Sequence, residues 1–190
     1  METKAPSLKF YLLIFIAITV MNIILAPITI TEPFPGVSTL YIAVAFMIPF
    51  AMWFRAWGVV AAYIGCFIGA GMLSGIPLHV NIYWSLADVW QVLIPLVAFM
   101  TFKSDIGLSS KKDWIIFLLF GWFLNNLIGA LWGTSALIFG GLVSWSEFNS
   151  IFLNWFLVNL GVTIVITPIL LKLLTPYIRK AGINMSGFWS

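Results

Sequence analysis

Six stretches of this chain are apolar for long enough to cross a bilayer, and short polar connections separate them. A crossing helix needs about 20 residues at ~1.5 Å rise each. The stretches run over 9–27, 37–54, 57–75, 84–102, 114–138 and 149–174. This pattern predicts an all-α bundle of six transmembrane helices, a single integral membrane domain over residues 1–190. The polar positions add an orientation. Lys4, Lys9, Arg55, Lys103, Lys111, Lys112, Lys172, Arg179 and Lys180 fall at the two ends of the chain and in the second–third and fourth–fifth connections. The other three connections hold no Lys or Arg. Basic residues are biased toward cytoplasmic loops. Both termini are therefore expected in the cytoplasm, and the expected location is the cell membrane, multi-pass. Phe10–Ala26 lacks a small-x-small cleavage site before Pro27 and is expected to be retained as the first helix.

Composition agrees with that picture. The chain is 62% hydrophobic and 8% charged, with a mean hydropathy of +1.09. Soluble globular domains carry roughly 25% charged residues. The net charge of +3 sets topology and meets anionic lipid head groups; it does not indicate nucleic-acid binding. No connection is long enough for a soluble nucleotide-binding module, so any ATPase must be another chain. A lone cysteine, Cys66, allows no internal disulfide and reads as a packing residue.

Proline and glycine punctuate the spans. The first outer connection, Pro27–Gly36, holds three prolines and no cation. It is expected to be a semi-rigid strap over the outer mouth, with Pro33, Pro35 and Gly36 as gating residues. Pro49 predicts a kink in helix two, and Phe54-Arg55-Ala56-Trp57 predicts a tight hairpin into helix three. Ala61, Gly65 and Gly69 recur at spacing four, as small residues do where two membrane helices approach closely. Gly129 and Gly133 repeat the device in helix five. His79 stands in the second outer connection with no Cys, Asp or Glu nearby, so no metal site is expected.

Polar groups inside the spans are the functional candidates, because burying them in lipid costs free energy. Asp88 leads. Spacing by three and four puts Trp84, Asp88, Gln91 and Pro95 along one face of helix four. That face offers an indole, a carboxylate and an amide near the outer mouth, suited to a flat or cationic small molecule. Helix five adds Asn125 and Asn126, which point about 100° apart on a 3.6-residue turn, together with Trp132. Helix six adds Asn154 near its outer end and Asn159 deeper. Trp84, Asp88, Gln91, Asn126, Trp132 and Asn154 make up the candidate substrate site. Two plainer readings stand beside it: Asp88 solvated at interface depth with Trp84 in the aromatic belt, and the asparagines as interhelical glue. The chain has no Ser-His-Asp set, phosphate loop or paired intramembrane carboxylates. An enzyme is not expected, nor a cofactor.

Two resemblances arise at these residues. Pro35-Gly36-Val37 through Gly75, and Asn154-Trp155-Phe156-Leu157-Val158-Asn159 through Thr167-Pro168-Ile169-Leu170-Leu171, resemble the substrate-binding S component of energy-coupling-factor vitamin transporters. That resemblance covers most of the chain. It implies capture of a small molecule for import, with a transmembrane coupling subunit and ATPases as partners beside the lipid bilayer. The chain departs from the family in helix one, where Ala17 and Ala26 stand nine apart in place of an Ala-xxx-Ala docking motif. Pro35-Gly36-Val37-Ser38, Arg55-Ala56-Trp57-Gly58 and the Thr167–Leu171 ending are also similar to bacterial membrane-associated sensor domains. This second resemblance implies a ligand-sensing or scaffold subunit without transport.

Overall fold

The computed structural model describes residues 8–28, 40–185 and 187–189. The described residues form six helical rods and no strand. The first rod is α1 (Leu8–Ile28), the second α2 (Ala43–Phe54). The third is α3 (Ala56–Gly65), which widens into π-helical turns over Cys66–Met72. The fourth joins α4 (Leu78–Trp84) to α5 (Leu86–Thr101) through Ser85, whose backbone is itself helical. The fifth runs from α6 (Lys111–Ile116) through π-helical Phe117–Leu124 into α7 (Asn125–Phe139). The sixth opens with a 3-10 turn at Trp145–Glu147 and continues as α8 (Phe148–Lys180). Four stretches are long and apolar enough to cross a bilayer: Leu8–Leu25, Leu78–Thr101, Lys111–Phe139 and Trp145–Lys180. This is a membrane protein built of helices.

The rods depart from the expected boundaries in informative places. Pro77 holds an extended backbone just before Leu78, so the fourth rod begins there and not at residue 84. His79 consequently stands in a first helical turn. The sixth rod passes Pro168 and Pro176 and reaches Lys180, leaving a shorter tail than expected. The second rod is the most altered. Its helix has 12 residues, about 18 Å at 1.5 Å per residue, against a hydrocarbon core of ~30 Å. Nearly all of it is buried. The backbone at 40–42 is not helical, and within it Tyr41 is buried while Leu40 is exposed. The expected gating residues Pro33, Pro35 and Gly36 lie outside the described residues.

Glycines set the close contacts. At the α2–α3 hairpin Arg55 turns with φ 51°, and a Cβ on Gly58 would stand 2.6 Å from the Ala51 backbone. On α3, a Cβ on Gly65 would stand 2.3 Å from Asn22 Cβ, so the predicted small-residue face is where α1 packs. The cationic segments meet at one end of the bundle. Arg179, at the end of α8, pairs with Asp105 in the loop after α5. Arg55 Nε donates to the Met185 carbonyl at 3.4 Å, and the amides of Met185 and Ala56 bond to the carbonyls of Trp53 and Phe188. Phe15 of α1 meets Trp57 at the same end, with centroids 5.8 Å apart.

Candidate functional site

α5 carries the site because its buried face places polar side chains one above another. Ser85, Asp88 and Gln91 are all buried within two helical turns. Each reaches a different partner, so the polar groups form a seam through the bundle.

One part of the seam centres on Asp88, which is 1% exposed. The Tyr41 hydroxyl donates to its Oδ2 at 2.7 Å. Because α2 starts only at Ala43, Tyr41 lies within the protein and not at its mouth. Cys66 and Ser85 are the other polar neighbours at this node. Ser85 Oγ donates to Asn81 Oδ1 at 2.8 Å, and Asn81 Nδ2 donates to the Phe67 carbonyl at 2.8 Å. Phe67 belongs to the π-helical turns. Gly71 makes room for Asn81, whose amide oxygen occupies the space a Cβ would fill.

The deeper part is an amide chain. Gln91 Nε2 donates to Asn126 Oδ1 at 3.0 Å. Asn126 Nδ2 donates in turn to the Trp122 carbonyl at 2.6 Å and to Thr163 Oγ1 at 2.8 Å. Thr163 donates to the Asn159 carbonyl one turn earlier in α8. Asn125 Nδ2 donates to the Gln91 carbonyl at 3.1 Å, so both neighbouring asparagines bond Gln91, one at its backbone and one at its side chain. Gly129 lets α7 approach α5, since its Cβ would stand 2.4 Å from Gln91 Cγ. Further along, Thr167 Oγ1 donates to the Ala45 carbonyl at 3.1 Å and ties α8 to α2.

Four of the six expected residues come together here: Trp84, Asp88, Gln91 and Asn126. Trp84 is 2% exposed, packed beside Trp155 with ring centroids 5.7 Å apart. It therefore belongs to the core and not to the interfacial belt. The remaining two stand apart from the seam. Trp132 is 37% exposed; its Nε1 donates to the Tyr83 carbonyl at 2.7 Å, and its ring lies against Trp90. Asn154 is half-buried beside Trp155. The position at the seam belongs to Trp155, against which Gly133 packs with no room for a Cβ.

Sequence reasoning passed over Tyr41, Cys66, Asn81 and Thr163. Tyr41 and Cys66 carry no local signal; only the fold brings them to Asp88. Thr163 was legible, because Ile151, Trp155, Asn159, Thr163, Thr167, Leu171 and Thr175 recur every four residues and all are buried.

Several polar atoms of the seam have no hydrogen-bond partner. They include Asp88 Oδ1, Gln91 Oε1, Asn125 Oδ1, both side-chain atoms of Asn159, and Trp84 Nε1. Two apolar cavities lie elsewhere. One, of about 640 Å³, is lined by His79, Tyr83, Trp132 and Phe139 between α4 and α7. The other, of about 410 Å³, is lined by Trp90, Val97, Phe102 and Phe120. Among the described residues no group of His, Cys, Asp and Glu could hold a metal ion. Comparison with known proteins gives no matching family model, no matching curated protein and no matching solved structure.

Proposed function

We propose that this protein binds a small molecule within the membrane at the α5 seam, as the substrate-capture subunit of an importer energised by separate ATPase subunits. The observation that carries the reading is the set of unpartnered oxygens on Asp88, Gln91, Asn125 and Asn159. A buried acceptor left without a donor costs ~1–3 kcal/mol. Interhelical glue contributes only ~0.6–2 kcal/mol per residue. Asn126 in the same seam is satisfied at both ends, and Asn22 in the α1–α3 joint leaves one oxygen unmet; at the seam such atoms gather on several residues. In this reading the ligand supplies the donors that these acceptors lack.

In this proposal all six rods lie in the membrane with both chain termini cytoplasmic. Support comes from the Lys and Arg pattern together with the gathering of Arg55, Asp105 and Arg179 at one end. The ligand enters from the opposite end, beneath the Pro27–Gly36 connection. Maleimide labelling tests the orientation. An engineered Ser146→Cys should react from outside and Ser109→Cys only after permeabilisation; the reverse pattern would overturn it. Native Cys66 is buried and serves as the silent background.

Copurification tests the importer role. Capture of a membrane coupling subunit and two ATPases would support it. A protein that retains its ligand without such partners would be a sensing or scaffold subunit.

A further inference from the structure

The cavity between α4 and α7 is built from two helical faces on neighbouring rods. On α4, His79 and Tyr83 stand four apart and so share one side. On α7, Ile128, Trp132, Ser135 and Phe139 follow one another at spacings of three and four, again one side. All six line a single space of about 640 Å³, the size of a small-molecule pocket. Two contacts fix its walls. Trp132 Nε1 donates to the Tyr83 carbonyl at 2.7 Å and holds the indole in place. A Cβ on Gly140 would stand 2.6 Å from Val80 Cγ2, so the two rods are already in contact there.

Polarity changes along this space. Ile128 stands at its deep, apolar end, while His79 and Ser135 lie toward the ends of the rods at Leu78 and Phe139. The eleven helical steps from Ile128 to Phe139 rise about 17 Å, close to half of a hydrocarbon core of ~30 Å. Both walls belong to stretches long and apolar enough to cross a bilayer, Leu78–Thr101 and Lys111–Phe139. Tyr83 is 63% and Phe139 78% exposed, so the rim faces the bilayer and not the bundle core. The space is thus about one leaflet deep, apolar within and polar toward the membrane surface, which is the profile of a lipid in that leaflet. Among the described residues no carboxylate lines it. The His79 imidazole, the Tyr83 phenol and the Ser135 hydroxyl each carry an N–H or O–H donor.

We infer that this cavity is a lipid site, holding the hydrocarbon chain of a single-chain lipid acid with its carboxylate at the His79 end. Lipid tails are as apolar as the walls, so the head and the shape of the cavity select the occupant. A carboxylate accepts from donors such as these and meets no acid, whereas a cationic head finds no counter-charge. The site is separate from the α5 seam and stands or falls independently of the reading proposed for the seam.

The test uses the purified full-length protein in lipid nanodiscs and a palmitate that carries a diazirine in its chain. Photolabelling mapped by mass spectrometry should saturate with dose and fall on residues 79–83 and 128–140. Plain palmitate should compete at least about tenfold better than hexadecyltrimethylammonium, an amphiphile of equal chain length and opposite charge, the scale of one hydrogen bond to a charged group. Ala136→Trp fills the cavity from its wall and should cut labelling about tenfold or more. Ile128→Trp fills it from the deep end and is the independent check should Ala136→Trp fail to fold. Leu157→Trp, on the exposed face of α8, should leave labelling unchanged. Labelling that never saturates and spreads over all exposed helices would be ordinary bilayer lipid and would overturn the site, as would labelling that survives both cavity-filling variants. Equal competition by the two amphiphiles would overturn the carboxylate assignment. Cross-linking between two copies carrying Tyr83→Cys would put a second copy over the cavity and overturn the lipid.

Discussion

Asn22 and Asn126 are both fully buried amides wedged between membrane helices, yet their surroundings differ in kind. Asn22 fills the α1–α3 interface alone. It lies against Gly65 and makes one long hydrogen bond, 3.4 Å, to the Ala61 carbonyl. Its oxygen has no partner, and replacing the residue would disturb one hydrogen bond. Asn126 is the middle link of a chain running from Gln91 on α5 to Thr163 on α8. A glycine makes room in both places: Gly65 for Asn22, Gly129 for Gln91. The same small-residue device thus builds a dry joint in one region and a polar seam in the other. What separates them is the second partner. Asn22 has one partner and leaves its oxygen unmet, whereas Asn126 is met by Gln91 of α5, Thr163 of α8 and the Trp122 carbonyl.

The largest effect that would break this comparison lies at the seam's aromatic wall. Trp84→Ala is expected to cost ~3–5 kcal/mol of stability, because the ring is buried against Trp155. A thermal unfolding shift in detergent measures it. Trp84→Phe should keep most of the packing and change ligand retention more than stability. On the dry side, Gly65→Ala should cost ~1–3 kcal/mol, since Asn22 Cβ stands where the methyl would go and α1 must move. Gly129→Ala meets the middle of the flexible Gln91 side chain and should cost less stability while shifting that amide. Equal stability losses at the two glycines would erase the distinction drawn here.

The two asparagines sharpen the contrast at smaller scale. Asn22→Leu is expected to change stability by less than about 1 kcal/mol, because both the amide and its single weak contact are exchanged for apolar surface. Asn126→Leu should cost ~1–3 kcal/mol by leaving Gln91 and Thr163 with unmet groups. Chemical denaturation of the two variants side by side checks this.

The smallest effect belongs to the rim. Burial pushes the Asp105 carboxyl up, but the Gly107 amide, the Ser109 hydroxyl and the Arg179 guanidinium outweigh it and hold it below the ordinary carboxylate value. A carboxyl depressed on folding stabilises fully above its unfolded value of ~3.9. That stability is lost as the pH falls through the folded value. Arg179 is 47% exposed, so solvent screens the pair and Asp105→Asn should cost less than about 1 kcal/mol at pH 7. The mutant and wild-type stabilities should converge as the pH falls below the folded value.

Much of this was readable from the chain. Runs of apolar residues located all six rods, and the spacing of Trp84, Asp88 and Gln91 located the seam's main face. The small-residue face of α3 was read correctly as a joint. Boundaries failed where tertiary context decided them: a 12-residue α2 is too short to cross alone and is helical because protein surrounds it. That shortness brings Tyr41 to Asp88, across 47 positions, and no local pattern could announce it. Trp132 stands apart from the seam for a related reason. Periodicity gives a residue's side of a helix, but it does not say whether lipid or protein lies opposite.

If Asp88 and its neighbouring amides hold a small molecule, as proposed, that molecule should survive purification. The most direct measurement is native mass spectrometry of the protein purified in mild detergent, comparing wild type, Asn22→Leu and Asp88→Asn. The expected result is a bound small molecule on wild type and Asn22→Leu, with occupancy on Asp88→Asn reduced about tenfold or more, as loss of a charged hydrogen bond requires. Equal occupancy on Asp88→Asn, or loss on Asn22→Leu to the same degree, would contradict the account and return the seam to a role in packing alone.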